Sequence, residues 1–206
     1  MICKIKLLII LSITSIFLTS CVSLKQPQPE ISYYTIAQLV EKPAATPLPL
    51  TLKVHRFSVA PLYNTIQMIY SEAPLTHNVY NYHKWGVNPG NMISDYLFRG
   101  IKQSNSFKAV FPYSSSTAAL YTINGHVDEF YELDTKNGWE AHLALTITLL
   151  SEIEKDDLKK ICFQKSYSSS KKCLKKNPRS LAGAMSRAAS EITSEIIKDV
   201  YKALKD

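Results

Sequence analysis

In the run NGWEAHLALTITLLSE every second residue from Trp139 to Leu149 is apolar. Trp139, Ala141, Leu143, Leu145, Ile147 and Leu149 share one face, and Glu140, His142, Thr146 and Thr148 share the other. A strict period of two over this length demands a half-buried strand, with one side on a core and one side wet. One-sided burial is typical of antiparallel sheets. The chain therefore needs further strands beside this one and something apolar above it.

The neighbouring sequence supplies both. AALYTINGHVDEFYEL reads as a long strand with Tyr121, Ile123, Gly125 and Val127 on one face, and residues 134–138 connect it to the first run as a hairpin. Gly125 marks close packing or a bulge. LKKICFQKSYS predicts a strand on the far side. Upstream, YYTIA, LTLKVHRFSVA, NTIQMIYS and THNVYNYHKW read as strands, the last two forming a hairpin across EAPL, and FKAVFPY as another. Two Asn-Pro steps open helices, because Asn caps and proline suits the first helical position. The first helix is expected over residues 89–103, with Met92, Ile93, Tyr96, Leu97 and Ile101 on one side. The second runs from Pro178 to about Leu204, with a stripe of Leu181, Met185, Ala188, Ile192, Ile196 and Val200. Ala182, Ala184 and Ala189 keep part of its surface small. The expected fold class is α+β, a mostly antiparallel sheet with two main helices packed on one face.

Ahead of this domain the chain has a different character. Lys4 and Lys6 precede a charge-free, mainly apolar stretch over residues 7–18. That is too short to span a bilayer, which takes about 20 residues, and it fits the core of a secretory signal. It ends Leu18-Thr19-Ser20-Cys21, which resembles the lipobox of bacterial lipoproteins. Small residues admit the backbone to a protease cleft, and the thiol is the nucleophile to be alkylated. The expectation is cleavage between Ser20 and Cys21, with diacylglycerol on the Cys21 thiol and a further acyl chain, such as palmitate, on its new amino group. An ordinary signal peptide with an incidental cysteine is the plainer alternative. Two or more acyl chains anchor a protein stably where one does not. Val22, rather than Asp, follows the cysteine, which in this class of lipoproteins goes with sorting to the outer membrane over the inner. The division is thus a signal peptide over residues 1–20, a polar, proline-stiffened tether over 21–32, and a single domain over 33–206, long enough for one core and too short for two.

The full chain carries a net charge of +7. Lys4 and Lys6 leave with the signal, so the mature chain is only mildly basic. The excess gathers between Lys155 and Arg179, read as a solvated strand edge or as a contact for anionic lipid or an acidic partner. Nucleic acid is not an expected partner of an exported lipoprotein. After processing, Cys162 and Cys173 remain; in an oxidising compartment they form a candidate disulfide, against the alternative of two unpaired thiols.

The sequence offers no H-E-x-x-H pair, no G-x-S-x-G elbow and no phosphate loop among its five histidines and six glycines. His126 and His142 fall on neighbouring strands, yet without a third ligand they make no metal site. Neither catalysis nor any metal or cofactor beyond the covalent lipid on Cys21 is expected. Tyr70, Tyr80, Tyr82 and Trp85 cluster along the first hairpin, either as aromatics packed at its margins or as a partner-docking surface.

Taken in order, Tyr-Tyr-x-Ile, HRFSVAPLYNTIQMIYS, HKWGVNPGNMISDYLFRGIKQSNSFKAV, ALYTINGHVDEFYE and WEAHLALTITLL resemble the ABC-type transport auxiliary lipoprotein family over nearly the whole mature chain. The basic segment between Cys162 and Cys173 departs from that pattern. The resemblance implies a non-enzymatic component of an intermembrane transport system, similar to the paraquat-inducible one, with an ABC permease and a mammalian-cell-entry (MCE) domain protein as partners and lipids as cargo. Its implied location is the periplasmic leaflet of the outer membrane. Two other classes fit the same residues: a lipid- or ligand-binding lipoprotein with a pocket between sheet and helices, and an outer-membrane assembly accessory protein.

Overall fold

The computed structural model describes residues 29–39 and 46–205. The signal peptide, the Ser20–Cys21 cleavage site and most of the tether lie outside the described residues. The described residues from Ile31 onward form one compact unit. In chain order the elements are β1 (Ser32–Tyr34), β2 (Leu48–Val54), β3 (Ser58–Val59), a single 3-10 turn (Pro61–Tyr63), β4 (Gln67–Ser71), β5 (Asn78–Trp85), α1 (Pro89–Ser104), β6 (Phe107–Pro112), β7 (Tyr121–Thr135), β8 (Gly138–Ser151), a one-turn helix α2 (Asp157–Lys160), β9 (Ile161–Lys172) and α3 (Pro178–Lys205).

Strand β7 organises the sheet. One of its edges pairs along its whole length with β8, antiparallel, and β8 pairs with β9 in the same sense. The other edge is shared by β2, β3 and β4, which pair in succession with residues 121–123, 126–127 and 132–133. All three run parallel to β7. Two more parallel pairs, β1 with β5 and β2 with β6, extend this side. The sheet is therefore mixed, which corrects the expectation of a mostly antiparallel one. The expected antiparallel hairpins β4–β5 and β7–β8 are present. What local pattern does not reveal is that residues 52–71 travel along β7 in its own direction, touching it three times. The run read as one strand over residues 50–60 breaks into β2 and β3 at His55–Phe57, where Phe57 turns into the core.

Glycine makes that turn possible. A Cβ on Gly125 would lie 2.5 Å from the Phe57 ring, so Gly125 is a close-packing site. The bulge lies three residues on. Val127 pairs with Leu145 but Glu129 pairs with Ala144, so Asp128 is an extra residue in β7. Before it, Ile123 and Val127 face the core; after it, Phe130 and Glu132 do.

The core forms where the helices cover the apolar face of the sheet. Ala141, Leu143, Leu145, Ile147 and Leu149 of β8 are all buried, as the alternation requires. Helix α3 packs on β8 and β9, α1 packs on β6 and β7, and the two helices touch. Ala182, Ala184, Ala188 and Ala189 are buried, and their small side chains let α3 approach closely. Asn88 caps α1 by accepting from the Gly90 amide at 2.9 Å, and Asn177 accepts from the Ser180 amide at 2.9 Å at the start of α3. The segment after β1 runs over both helices: the Ala37 amide donates to Ser186 Oγ at 2.9 Å and the Leu39 amide to the Tyr96 hydroxyl at 3.2 Å.

Candidate functional site

The aromatic hairpin β4–β5 divides into a buried part and an exposed part. Trp85 is 2% exposed and packs edge-on to Phe130, with ring centroids 5.0 Å apart. It is a core residue, which corrects its inclusion among the docking candidates. Tyr70 and Tyr80 are half-buried against each other at 4.8 Å. Only Tyr82, of the four, projects outward, 48% exposed. Val79 and Tyr33 of the paired strand β1 are also exposed, and Leu75, in the turn between β4 and β5, stands fully in solvent with φ of +66°. A left-handed backbone at a non-glycine residue is uncommon.

Beneath this hairpin lies a buried carboxylate. Glu132 has no exposed surface, and the Tyr80 hydroxyl donates to its two oxygens at 2.9 and 3.2 Å. Burial pushes the Glu132 carboxyl up to about 7; the Tyr80 hydrogen bond pulls against this and Asp134 adds to it. Burial and the nearby carboxylate raise the Tyr80 phenol well above its usual range. Trp139 closes the cluster edge-on to Tyr80 at 6.3 Å.

The opposite, polar face of the sheet carries two rows of hydroxyl, imidazole and carboxylate. His142 Nδ1 lies 2.7 Å from Ser170 Oγ and its Nε2 lies 2.5 Å from Glu129 Oε2. Ser58 Oγ lies 2.7 Å from His126 Nδ1, whose Nε2 is 3.9 Å from Asp128 Oδ1. Thr146 donates to Asp128 at 2.8 Å. Tyr63 and Tyr131 stack beside Glu129 and His142; burial first and Glu129 second push Tyr63 up to about 12. Sequence reading placed His126 and His142 on neighbouring strands but missed the hydroxyls that complete the rows, because Ser58 and Ser170 come from two further strands. The register partner of His142 is Ser170, a signal carried by the alternation of β8 and β9. Asp128 falls on this face by alternation with His126, and Glu129 reaches it through the bulge at Asp128. In a neutral imidazole one nitrogen donates and the other accepts. The Glu129 carboxylate accepts, so Nε2 of His142 is the donor in that contact. Among the described residues no group of three or more His, Cys, Asp or Glu side chains is placed to hold a metal.

The cysteine pair is separated by the fold. Cys162 and Cys173 are free and stand at opposite ends of β9. At about 3.3 Å per residue they are on the order of 35 Å apart, where a disulfide needs Cα atoms within about 7 Å. This corrects the candidate disulfide. The surrounding lysines are largely paired: Lys159 with Asp156, Lys160 with Asp157, Lys165 with Asp199, Lys171 with Glu191 and Lys176 with Asp134. Lys171 and Ser169 hold the Glu191 carboxyl below its usual value. The basic segment is thus an edge strand with charged side chains tied to α3, a form that discourages pairing with another sheet.

No described helix is long and apolar enough to cross a membrane. Comparison with known proteins places the fold. No curated protein matches the chain. A Xanthomonas campestris crystal structure assigned to the DUF330 family model superposes with a TM-score of 0.74 at 17% identity, over 84% of this chain and 97% of that one. A second solved, uncharacterised protein gives 0.66 at 12% identity, over 83% and 99%. A hypothetical protein of Chlamydia trachomatis gives 0.51 at 10% identity, over 75% and 96%. At these identities the likeness is one of fold. The sequence model of one family matches residues 34–197, four-fifths of the chain and every main element from the end of β1 into α3, so this chain belongs to the ABC-type transport auxiliary lipoprotein component family.

Proposed function

We propose that the chain is a lipid-anchored, non-enzymatic adaptor of an ABC-type transport system that includes an MCE-domain protein. Acyl chains on Cys21 hold it at the periplasmic leaflet of the outer membrane, and the folded domain docks the conduit through which hydrophobic cargo crosses the periplasm. The observation that carries this reading is the family match over residues 34–197. The basic n-region, short apolar core and Leu-Thr-Ser-Cys end of residues 1–21 support the anchor. A binding role rather than catalysis is supported by the description of the family as an auxiliary component of transport. The docking face is the exposed rim of the first hairpin, Tyr33, Val79 and Tyr82, because exposed tyrosines make effective interface anchors.

Two variants test the parts separately. Cys21→Ser is expected to move the protein from the membrane pellet to the soluble fraction without unfolding it; unchanged membrane retention contradicts the anchor. Tyr82→Ala is expected to leave stability within about 0.5 kcal/mol, as for an exposed side chain, while weakening capture of the MCE-domain protein. Undiminished capture moves the docking face elsewhere.

A further inference from the structure

A cleft of about 310 Å³ opens where β2 and β6 end. The two strands are parallel, with Val54 opposite Pro112 at their carboxyl ends, and α1 forms the facing wall. A crevice at the carboxyl ends of parallel strands beside a helix is a common place for a ligand, and this volume is at the small end of ligand pockets. The cleft is unrelated to the hairpin rim and to the polar sheet face.

Its chemistry is two-sided. Val54, Phe98 and Pro112 contribute apolar surface. At the rim the exposed Arg56 guanidinium lies 4.1 Å from the centre of the Tyr113 ring and also donates to the Tyr113 hydroxyl. Tyr113 thus holds the guanidinium at the mouth by its ring face and its oxygen. No carboxylate pairs with Arg56 among the described residues, so the charge is presented without a counterion from the fold. The one acid in the lining, Asp95, is taken by Arg99 at 3.0 Å. Asn91 and Ser94 add neutral polar groups along α1.

We infer that this cleft binds an amphiphilic anion, a phosphate or carboxylate head carried on an apolar body, with Arg56 gripping the head and Val54, Phe98 and Pro112 receiving the body. A guanidinium with free donors suits such a head, which it binds through paired hydrogen bonds. A sugar would leave the guanidinium unmatched, and a free inorganic anion would leave the apolar floor empty. The head belongs either to a soluble amphiphile or to a membrane lipid, and the test separates these sources.

The probe is octyl phosphate, titrated calorimetrically into the full-length lipoprotein held in zwitterionic-lipid nanodiscs, with empty nanodiscs as the baseline. Saturable one-to-one binding is expected. Arg56→Gln is expected to weaken it at least about tenfold and Arg56→Lys to restore part of it, since lysine keeps the charge but not the fork. Arg56 is exposed, so neither variant is expected to unfold the chain, and an unchanged Tm verifies this. Repeating the titration in nanodiscs that contain an anionic phospholipid distinguishes the sources. Weaker apparent binding there means lipid heads reach the cleft, and unchanged binding means a soluble amphiphile is the ligand. The proposal is overturned by no saturable binding, by equal binding by Arg56→Gln, or by equal binding of the uncharged octyl glucoside. Capture of an acidic peptide at Arg56 with no binding of octyl phosphate also overturns it and makes the cleft a protein contact.

Discussion

Asp128 decides where its neighbours go. As an extra residue in β7 it shifts every following side chain to the other face of the sheet. Phe130 and Glu132 enter the core, and Glu129 and Tyr131 join the polar face beside His142. The cost is concentrated at Glu132, an acid buried against a phenol. Its carboxyl titrates near 7 when folded and near 4.5 when exposed. Between those values the folded chain keeps a proton that the unfolded chain releases, so stability falls as pH rises through this window and levels off above it. Glu132→Gln keeps a partner for Tyr80 and removes the charge. It is expected to raise unfolding stability by about 1–3 kcal/mol at pH 8 relative to the native chain, with little gain near pH 4.5, as read from denaturant midpoints. A gain of equal size at both pH values contradicts the assignment. Trp85→Ala is expected to cost about 3–5 kcal/mol, the range for a large core aromatic, which equilibrium denaturation measures. These residue-level facts were hidden in the sequence for a definite reason: Tyr121, Ile123, Gly125 and Val127 alternate, and the break at Glu129 does not by itself say whether the strand bulges or ends. The Trp in HKWGVNPG looked like an interface anchor because a strand pattern shows which residues share a face, not which face is covered.

At the level of elements, what the sequence made plain was local. The alternation of β8, the hairpin before it and both Asn-Pro helix starts appear where their residues put them. The parallel side of the sheet did not follow, because pairing β2, β3 and β4 to β7 joins residues far apart in sequence, and period-two patterns do not record strand direction. The same distance effect undid the disulfide. Two cysteines eleven positions apart are neighbours only if the chain turns between them, and here it stays extended as β9. The thiols also differ in setting: burial raises both, but Cys162 is exposed, whereas burial and the nearby Glu132 push Cys173 up to about 11. In the native protein at pH 7.5, maleimide is expected to label Cys162 at least about tenfold faster than Cys173, followed by mass spectrometry, because the thiolate is the reactive form. A pair that resists labelling until reduced contradicts this placement. The edge-strand lysines are expected to matter little to stability: Lys165→Met should change it by less than about 1 kcal/mol, as for an exposed ion pair, in the same denaturation assay.

At the scale of the whole molecule, the fold separates three surfaces. The hairpin rim with Tyr33, Val79 and Tyr82 points outward, the imidazole rows lie on the polar sheet face, and the Arg56 cleft opens at the ends of β2 and β6. The proposed anchor on Cys21 would give this domain a fixed station, and membership of the auxiliary lipoprotein family associates it with an ABC-type transport system. The central claim, that the domain acts by docking to that system, is tested most directly by affinity purification of the tagged full-length protein from membranes that also produce the cognate MCE-domain protein and permease. The account predicts that the MCE-domain protein co-purifies in a fixed ratio and that Tyr82→Ala reduces its recovery. Recovery of the lipoprotein alone, from membranes in which both partners are present and folded, would contradict it.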